Sequence, residues 1–384
     1  MSKLCINLPP FAPDYSGAAS ALFDLGGIIV IHDASGCTGN YTGFDEPRWF
    51  GADSKVFCSG IRYMDAILGL DDSFIEKIKK AAKSLNPNFI AVLGSPVPMV
   101  IGTDFEGIAK ELETITGIPA IGIPTTGLNY YGKGICDATI KLMDKFIKDE
   151  EFIKEPNSIN ILGTTPLDFY INENDKDFKE LFVKNGINVL STYYMGLTID
   201  DMKKSVSASL NVVVSQSGIG PAEYMKERFS IPYVVVTPLC DGSLAVKKVK
   251  KALLGNFEEY VPSTENANTI ILGEQIISNS IREYLNKELG YGNIVVGTLF
   301  DFSKSQMAEG DIVIKNEFEL RKILNSGKYE KVIADPMVKQ IIKDKNVKFY
   351  GFPHVALSSK VHWNETKRLM NDEMKDFLIS LKEG

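Results

Sequence analysis

The stretch that decides the fold runs from residue 26 to residue 39 and reads Gly26-Gly-Ile-Ile-Val-Ile-His-Asp-Ala-Ser-Gly36-Cys37-Thr-Gly39. A β-branched run, Ile28–Ile31, follows two glycines and ends in a turn that holds a cysteine between further glycines. Ligands of open α/β sheets gather at the carboxyl edge of the strands, so this pattern places Cys37 where a site forms. Gly36 and Gly39 are candidate cofactor-binding positions, because glycine lets the backbone pass close to a bulky group.

The alternation of β-branched runs with longer amphipathic patterns continues through all 384 residues and predicts parallel strands with crossover helices. Two charged, proline-bearing segments, 148–157 and 258–267, separate the chain into three units. We expect an α/β fold of three Rossmann-like domains with parallel sheets. Their predicted bounds are 1–150, which carries the candidate cysteines, 151–262 and 263–384.

Helices are predicted where apolar residues recur at three- and four-residue spacing. The small-residue run Ala18–Leu25 is one such helix, and Phe105–Thr116, with Thr103-Asp104 as its predicted N-cap, is another. A third is Phe74–Leu85, for which Asp72-Ser73 is the predicted N-cap.

Composition and charge exclude several classes of protein. Lys and Arg total 42 and Asp and Glu total 49, so the net charge is −7. This acidic balance argues against nucleic-acid and anionic-membrane partners. No apolar run approaches the roughly 18 residues of a membrane span, and the N-terminal residues lack the apolar core of a signal peptide. We therefore expect a cytoplasmic protein with reduced thiols, whose five cysteines do not form a disulfide set.

A phosphate-binding loop is one candidate motif, and the sequence argues against it. Gly127-Leu-Asn-Tyr-Tyr-Gly132-Lys133-Gly134 matches the first seven positions of Gly-x4-Gly-Lys-Ser/Thr. The eighth position is Gly134, which lacks the hydroxyl that binds magnesium, and two tyrosines crowd the loop. No Gly-x-Gly-x-x-Gly opens any of the three units, so a bound dinucleotide is not expected either.

Three cysteines near the front of the chain, Cys5, Cys37 and Cys58, are candidate metal ligands. Soft thiolates suit iron–sulfur clusters, and nearby glycines offer space and N–H donors to inorganic sulfide. No Cys-x-x-Cys is present, and the spacing alone favours the alternative that each cysteine is a small buried hydrophobe. Cys136, inside a predicted amphipathic helix, and Cys240, at the end of a predicted strand, are interpreted mainly as structural.

One cluster needs four ligands, which exceeds the front cysteines of a single chain. A two-fold homodimer presents each residue twice. Two cysteines per chain then give four thiolates for one 4Fe–4S cluster at the interface, and three per chain suffice for a larger 8Fe-type cluster.

At these residues the chain resembles a known family. His32-Asp-Ala-Ser-Gly36-Cys37 is similar to the His-Gly-x-x-Gly-Cys segment of nitrogenase component 1 type oxidoreductases. The similarity extends through Met64–Gly69, Phe89–Asp104 and Gly117–Gly127, and more diffusely through Tyr224–Tyr233. The resemblance implies three Rossmann-like domains and an iron–sulfur cluster shared between subunits. The chain is shorter than a nitrogenase subunit and resembles the compact homodimeric kind.

The resemblance also implies site residues. Cys37 matches a cysteine that ligates the bridging cluster, and Cys5 is placed like the preceding family cysteine. The third family cysteine falls near Ser95, which is therefore a candidate cofactor-binding residue, and Cys58 is the candidate replacement ligand. An iron–molybdenum-type cofactor is not expected, because the family's cofactor cysteine falls near Ala222.

Two histidines are candidate catalytic residues. His32 precedes the ligand loop, where it would donate a hydrogen bond to cluster sulfide or shuttle protons, and the alternative is a ring satisfied by backbone. His354 lies one residue out of register with the family's cofactor-binding histidine, and we expect it to line a pocket between domains. Asp45–Trp49 follows the cysteine loop and either lines the site or forms a surface loop.

Together these features favour the catalytic half of a two-component oxidoreductase. The resemblance implies that a separate ATP-dependent iron–sulfur reductase supplies electrons, which pass through the interface cluster to a small-molecule substrate in the interdomain cleft. Tetrapyrroles, small unsaturated molecules and thioethers all fit this scheme. Two alternatives stay open, namely a scaffold or maturation protein that carries a metal cluster without turnover, and a metal-free protein that binds a small ligand.

Overall fold

The computed structural model describes residues 6–52, 55–69, 71–148, 152–258 and 260–383. Cys5, one of the three candidate ligands, lies outside the described residues. The strands of the described part are β1 (Ile28–Ile31), β2 (Val56–Cys58), β3 (Ile90–Leu93), β4 (Ala120–Ile123), β5 (Ser158–Thr164), β6 (Asn188–Tyr194), β7 (Leu210–Val213), β8 (Tyr233–Val235), β9 (Thr269–Gly273), β10 (Ile294–Thr298), β11 (Ile312–Val313), β12 (Lys331–Ala334) and β13 (Lys348–Gly351).

The α-helices are α1 (Asp14–Leu22), α2 (Gly36–Asn40), α3 (Tyr63–Leu68), α4 (Asp71–Leu85), α5 (Pro96–Ile101), α6 (Phe105–Thr116), α7 (Tyr131–Phe146), α8 (Pro166–Phe169), α9 (Asn174–Lys184), α10 (Ile199–Ser205), α11 (Ile219–Phe229), α12 (Ser243–Leu253), α13 (Gln275–Lys287), α14 (Glu317–Leu324), α15 (Val355–Ser358) and α16 (Asp372–Glu383). A π-helix, Tyr41–Asp45, continues directly from α2. In the described part of the chain, no helix is both long and apolar enough to cross a membrane.

The strands form three sheets whose pairings are all parallel, with the orders β2-β1-β3-β4, β6-β5-β7-β8 and β11-β10-β9-β12-β13. The α/β fold with three parallel sheets is therefore confirmed. In each sheet the chain starts at an inner strand, builds outward to one side and then crosses to the other. The order thus reverses between β1 and β3 in the first sheet, and a crevice for ligands forms outside the strands at such a reversal. The domain bounds drawn from the sequence stay a prediction.

Helix α1 is buried along its whole length and packs between the first sheet, α7 and the second sheet. Six of its nine residues are Gly, Ala or Ser, which lets other backbones approach closely. A Cβ at Gly17 would lie 2.0 Å from the carbonyl oxygen of Tyr131, and a Cβ at Gly134 would lie 1.7 Å from that of Asp14. Gly134, which does not match the phosphate-loop pattern, thus lies where the backbones of α7 and α1 are in contact.

The loop before α7 is tied to α1 by a buried carboxylate. The side chain of Asp14 accepts hydrogen bonds from the backbone N–H of Thr126 at 3.0 Å and of Gly127 at 2.7 Å. It also accepts one from the side-chain amide of Asn129 at 3.1 Å. The glycine-rich segment is therefore wrapped around an aspartate of its own chain.

Three local predictions differ from the structure. The first helix begins at Asp14 and not at Ala18, because α7 and the second sheet bury its polar first turn as well. Helix α4 begins at Asp71, so Asp72-Ser73 lies inside the helix and was wrong as an N-cap. Cys240 lies five residues beyond the end of β8 at Val235, and not at a strand end.

The contact between α1 and α7 gives a test of the packing. We expect Gly134→Ala to destabilise the protein by about 3 kcal/mol, near the upper end of the usual cost of overpacking, because the added methyl group meets a backbone oxygen. This cost exceeds the gain of about 1 kcal/mol that alanine brings to a helix interior. Urea denaturation followed by circular dichroism measures the change.

Gly292→Ala is the matched control, because a Cβ there meets no atom within 4 Å. We expect the free energy of unfolding of this variant to differ from that of the wild type by less than about 0.5 kcal/mol. Equal stability of the Gly134 and Gly292 variants would contradict the close helix contact.

Candidate functional site

The turn after β1 is built around the carboxylate of Asp33. One of its oxygens accepts hydrogen bonds from the backbone N–H of Ser35 and Cys37, both at 2.9 Å, and from that of Thr38 at 3.2 Å. The backbone N–H of Asp33 itself donates to the hydroxyl of Ser59 at 2.9 Å. These bonds fix the start of α2 and hold Cys37 at the carboxyl edge of the first sheet.

The thiol of Cys37 is half-buried and lies against three polar side chains, the Tyr15 hydroxyl, the Asp33 carboxylate and the Ser95 hydroxyl. Ser95 is fully buried and donates a hydrogen bond to the carbonyl oxygen of His32 at 2.8 Å. Burial raises the pKa of the Cys37 thiol, and the charge of Asp33 adds to this effect. Hydrogen bonds with Tyr15 and Ser95 act in the opposite direction, because they stabilise the thiolate.

Cys58 lies at the same edge of the sheet, as the last residue of β2. It is opposite Ile31 in the parallel register of β1 and β2, and its thiol donates to the carbonyl oxygen of Asp33 at 3.4 Å. The structure therefore brings Cys37 and Cys58 to the turn after β1. The side chain of Asp33 binds the backbone of Cys37, and the backbone carbonyl of Asp33 accepts from the thiol of Cys58.

The space around these two thiols is open. A Cβ built at Gly36, Gly39, Gly43 or Gly60 meets no atom within 4 Å. Nine apolar side chains with more than a third of their surface exposed lie on β2, α3 and α5, the elements at or after the ends of β2 and β3: Phe57, Tyr63, Met64, Ile67, Leu68, Val97, Met99, Val100 and Ile101. We call these nine residues the apolar face.

Soft sulfur ligands, open glycine positions and an apolar surround fit a shared iron–sulfur cluster. Within the described residues, however, no group of three His, Cys, Asp or Glu side chains converges closely enough to hold a metal ion. The described part of one chain therefore supplies two thiols at most.

His32 turns away from this edge. Its ring packs against Phe74, with centroids 4.4 Å apart, and against Phe105 at 6.3 Å, on the face of the sheet opposite Tyr15 and Cys37. The ring borders a cavity of about 400 Å³ whose wall includes Ser59. Its Nδ1 atom is buried and has no hydrogen-bond partner among the described residues, and burial lowers the pKa of the imidazole to about 4. This orientation does not support a direct hydrogen bond from His32 to a cluster on the Cys37 side, and its catalytic role stays a prediction.

A second polar cluster lies where the three sheet-bearing parts of the chain meet. Asp168 in α8 accepts hydrogen bonds from the Tyr131 hydroxyl at 2.5 Å and the Ser217 hydroxyl at 2.8 Å. The same carboxylate lies 3.1 Å from Nε2 of His354, whose ring stacks on Phe300 with centroids 4.8 Å apart. His354 is 4% exposed, so it lies inside this junction and does not line an open cleft.

The junction holds a further carboxylate, Glu274. It caps α13 by accepting the N–H groups of Ile276 and Ile277, and it also accepts the N–H of Gln216 at 2.8 Å. Burial raises the pKa of Glu274 to about 7, and the nearby charge of Asp168 contributes. Burial also raises the pKa of the Tyr131 hydroxyl well above its usual value, again with a contribution from Asp168. The junction can therefore hold protons at several atoms.

Sequence reasoning missed Tyr15, Asp33 and Asp168 as site residues. Tyr15 carried one available signal, because it is the only large aromatic residue in the small-residue helix α1. Asp33 follows the strand directly and precedes Gly36 by three residues, a spacing suited to a turn that binds its own backbone. Nothing near Asp168 in the sequence indicates its partners, which are 37, 49 and 186 residues away.

The other two cysteines lie elsewhere. Cys136 is within α7, where burial raises the pKa of its thiol to about 11, and its sulfur packs beside Gly220. Cys240 is buried in a core cluster shared by the second and third sheets. Both positions agree with structural roles.

Comparison with known proteins gives a family and a fold. The model of the family described as nitrogenase component 1 type oxidoreductase matches residues 13–242. A solved structure of nitrogenase Cp1 at pH 6.5 superposes with a TM-score of 0.72 at 14% sequence identity, over 99% of this chain and 94% of that chain. At this identity the likeness shows the fold alone.

Curated relatives are similar over parts of their length. A light-independent protochlorophyllide reductase subunit of Nostoc punctiforme is 31% identical over 99 residues, 25% of this chain and 20% of that protein. The corresponding protein of Huperzia lucidula is 20% identical over 284 residues, 63% of this chain and 55% of that protein. The nitrogenase iron-molybdenum cofactor biosynthesis protein NifE of Clostridium pasteurianum is 24% identical over 339 residues, 77% of this chain and 71% of that protein.

The buried ring of His32 predicts acid sensitivity. Its pKa is about 4 in the folded protein and near 6.5 in the unfolded chain, so only the unfolded chain binds this proton between those values. Stability is therefore retained above pH 6.5 and decreases as the pH falls towards 4. Because solvent reaches the ring through the cavity, we expect the loss of unfolding free energy due to His32 to be about 2 kcal/mol between pH 6.5 and pH 4. His32→Gln should remove this loss.

Urea denaturation at several pH values measures the change in unfolding free energy, and proton NMR identifies the ring by the signal that His32→Gln lacks. A midpoint near 6.5 for that signal would contradict the buried, unpartnered ring.

Proposed function

The chain belongs to the nitrogenase component 1 type oxidoreductase family, and on that premise we propose that it is the electron-accepting, substrate-reducing component of a two-component system. Electrons arrive from a separate ATP-dependent iron–sulfur reductase and pass through an iron–sulfur cluster shared by two copies of this chain. The substrate is a small molecule handled at the junction around Asp168. The convergence of Cys37 and Cys58 on Asp33 is the observation that carries this proposal.

The homodimer follows from the number of ligands. The described part of each chain offers two thiols at the carboxyl edge of the first sheet, beside the apolar face. A two-fold axis through this edge supplies four thiolates, the set that a 4Fe–4S cluster needs. If Cys5 also reaches the edge, the pair of chains supplies six, the number suited to an 8Fe-type cluster.

The cluster, when bound, supplies one-electron storage. The residues around it position the ligands and set the charge. Asp33 holds the backbone of Cys37, and the hydroxyls of Tyr15 and Ser95 stabilise negative charge on the sulfur. Gly36 and Gly39 keep the surrounding volume free of side chains. The apolar face, once covered by the second copy, excludes water.

At the junction, the chain's own residues would hold and move protons for the substrate. The Tyr131 and Ser217 hydroxyls both donate to Asp168, and His354 shares the same carboxylate. Two hydroxyls and an imidazole within hydrogen-bond reach of one carboxylate form a set that general acid–base chemistry can use. His354 therefore keeps its candidate catalytic role, as a residue that acts with Asp168.

Two observations support a separate reductase. The sequence has no complete phosphate-binding loop, and two of the relatives are subunits of a reductase. The segment closest to a nucleotide loop has Gly134 in the place of the magnesium-binding residue, and Asp14 fills the loop. Two of the relatives are subunits of a light-independent protochlorophyllide reductase. A subunit of this kind fits the electron-accepting component.

A second candidate function is that of a metal-cluster scaffold or maturation protein. The similarity to the biosynthesis protein NifE extends over 77% of this chain. The tightly packed junction around His354 also suits a protein that does not turn over a substrate. Transfer of iron to a recipient apoprotein without any added substrate would favour this function.

Removal of the candidate ligands tests the cluster. We expect anaerobically purified or reconstituted wild-type protein to contain about four iron and four sulfide per dimer, or about eight of each for the larger cluster. Cys37→Ala should lose at least about 80% of this iron, because one substitution removes two of four ligands from the dimer. Cys58→Ala should behave in the same way if Cys58 is a ligand. Iron and sulfide analysis with electron paramagnetic resonance measures the content.

Cys136→Ala is the matched control, because this thiol is buried in a helix away from the site. It should keep the wild-type iron content. Fewer than about two irons per wild-type dimer would refute the cluster and leave the metal-free, ligand-binding alternative.

Charge on the apolar face tests the homodimer. Val100 is 77% exposed at the end of α5. In a two-fold interface Val100→Asp places two negative charges on apolar surface, so we expect the dimer dissociation constant to rise at least about 30-fold, or roughly 2 kcal/mol. Sedimentation velocity over a concentration series measures it.

Val183→Asp, on the exposed side of α9, is the control and should leave the dissociation constant unchanged. A monomeric wild-type protein with bound cluster, or an unaffected Val100→Asp dimer, would argue against this interface.

A further inference from the structure

The π-helix Tyr41–Asp45, which follows α2, places the side chain of Asp45 in the protein interior. The N–H of Glu46 closes the last turn on the carbonyl oxygen of Tyr41 at 3.0 Å. Asp45 at the end of this turn is 4% exposed. One oxygen of its carboxylate accepts hydrogen bonds from the Ser16 hydroxyl and the Asn40 side-chain amide, both at 2.7 Å. Single π turns of this kind are frequent at functional sites.

No cation neutralises Asp45 within the described part of the chain. Arg48, three residues along the chain, is held by the carboxylate of Glu46 at 2.7 Å and by that of Asp24 at 2.9 Å. A carboxylate buried with two neutral donors and no cation is expected to hold a proton far more readily than one in water. Burial raises the pKa of Asp45 to about 7, and the charge of Glu46 adds to the rise, while the hydrogen bonds from Ser16 and Asn40 oppose it.

Tyr15 on α1 interacts with both Asp45 and the Cys37 thiol. Ser16, which donates to Asp45, follows Tyr15, and the Tyr15 hydroxyl is hydrogen-bonded to the thiol of Cys37. Burial raises the pKa of this hydroxyl, and negative charges on Cys37, Asp45 and Asp33 all add to the effect. The charges of Cys37 and Asp45 therefore both act on one buried hydroxyl, in a medium that screens poorly.

The other charged groups around this turn have partners of their own. Glu46 binds Arg48 and accepts from the Tyr41 hydroxyl at 3.1 Å, and Asp33 holds the backbone of the cysteine turn. From the third part of the chain, Ser359 donates to the carbonyl oxygen of Phe44, and Lys360 lies over the ring of Phe50. Glu46 is thus paired with a cation, whereas Asp33 and Asp45 have neutral donors; those of Asp33 are mainly backbone N–H groups, and those of Asp45 are two side chains.

From this arrangement we infer that Asp45 is a proton-accepting residue coupled to the oxidation state of the cluster at Cys37. The inference rests on the proposed function. When one electron from the reductase, or from a chemical reductant such as dithionite, is added at the cluster, one proton from water forms an O–H bond with the Asp45 carboxylate. Oxidation returns the electron to the acceptor and the proton to water, so the net charge of the buried site stays constant.

A redox titration of the holoprotein at pH 6.0 to 8.5, monitored by electron paramagnetic resonance, tests this coupling. We expect the wild-type midpoint potential to fall as the pH rises from about 7, with a slope approaching about 59 mV per tenfold change in proton concentration for a one-electron couple. Asp45→Asn should retain the cluster and show a slope near zero. Asp137→Asn, an exposed aspartate on α7, is the control and should keep the wild-type slope.

Ser16→Ala provides a second variant that keeps the carboxylate and removes one donor to it. Because that hydrogen bond stabilises the charged form, we expect its loss to raise the pKa of Asp45 and move the onset of the pH dependence upward by about half a unit to one unit. This shift distinguishes a titrating Asp45 from a side chain that only supports the fold.

The apoprotein gives a readout that needs no cluster. Infrared difference spectra between pH 6 and pH 8 should show carbonyl stretches of protonated carboxyl groups, and Asp45→Asn should lose one of them while the band of Glu274, whose pKa is also raised to about 7, remains. A wild-type cluster with a pH-independent potential, or an unchanged slope in Asp45→Asn, overturns the inference and leaves the proposed function standing. A wild-type protein that binds no iron overturns both.

Discussion

Contact between the backbones of α1 and α7 fixes the relative positions of the two candidate sites. Gly17 and Gly134 leave no room for a side chain between the helices. Tyr15 on α1 reaches the thiol of Cys37, and Tyr131 on α7 reaches Asp168 at the junction. A change in the distance between these helices would therefore move the ligand edge of the first sheet and the interdomain cluster together.

Buried carboxylates around this helix pair differ in the charge that they carry, and their hydrogen-bond partners explain the difference. Burial alone would raise the pKa of Glu317, but backbone N–H groups of Asn7, Leu8 and Ile6 lower it to about 2. Glu274 also accepts three backbone N–H groups, yet its pKa is raised to about 7, because it is more deeply buried and lies near the charge of Asp168. A carboxylate near a second carboxylate thus retains a proton that hydrogen bonds alone would remove.

The fold was predictable from the sequence to a greater extent than the site. Strand β1 was correct to the residue, because Ile28–Ile31 is a continuous apolar run that follows two glycines. Strand β2 escaped prediction, since it has three residues and its central Phe57 is exposed. The sequence also placed Cys37 at a strand end, because that placement depends only on local order.

The contacts that give the site its chemistry were not predictable, because they join distant parts of the chain. Asp45 meets Ser16 across 29 residues, and Asp168 meets His354 across 186. The sequence left open whether the segment Asp45–Trp49 lines the site or forms a surface loop. Its burial depends on Arg48 and on the π turn, which periodicity does not indicate. The resemblance to a family supplied candidate ligands and Ser95, but it did not indicate Tyr15 or Asp33, which also lie against the Cys37 thiol.

The packed state of the junction bears on how a substrate would bind there. Tyr131, Ser217 and His354 come from three different parts of the chain and all direct their polar groups at Asp168. Each hydrogen bond to a charged group contributes about 1.5–3 kcal/mol, so separating the three parts without replacing these bonds would be costly. A ligand that inserts must therefore offer its own acceptors to the two hydroxyls. On the proposed function, the hydroxyl groups that hold the junction together without a ligand would select substrates with oxygen or nitrogen acceptors beside the reducible bond.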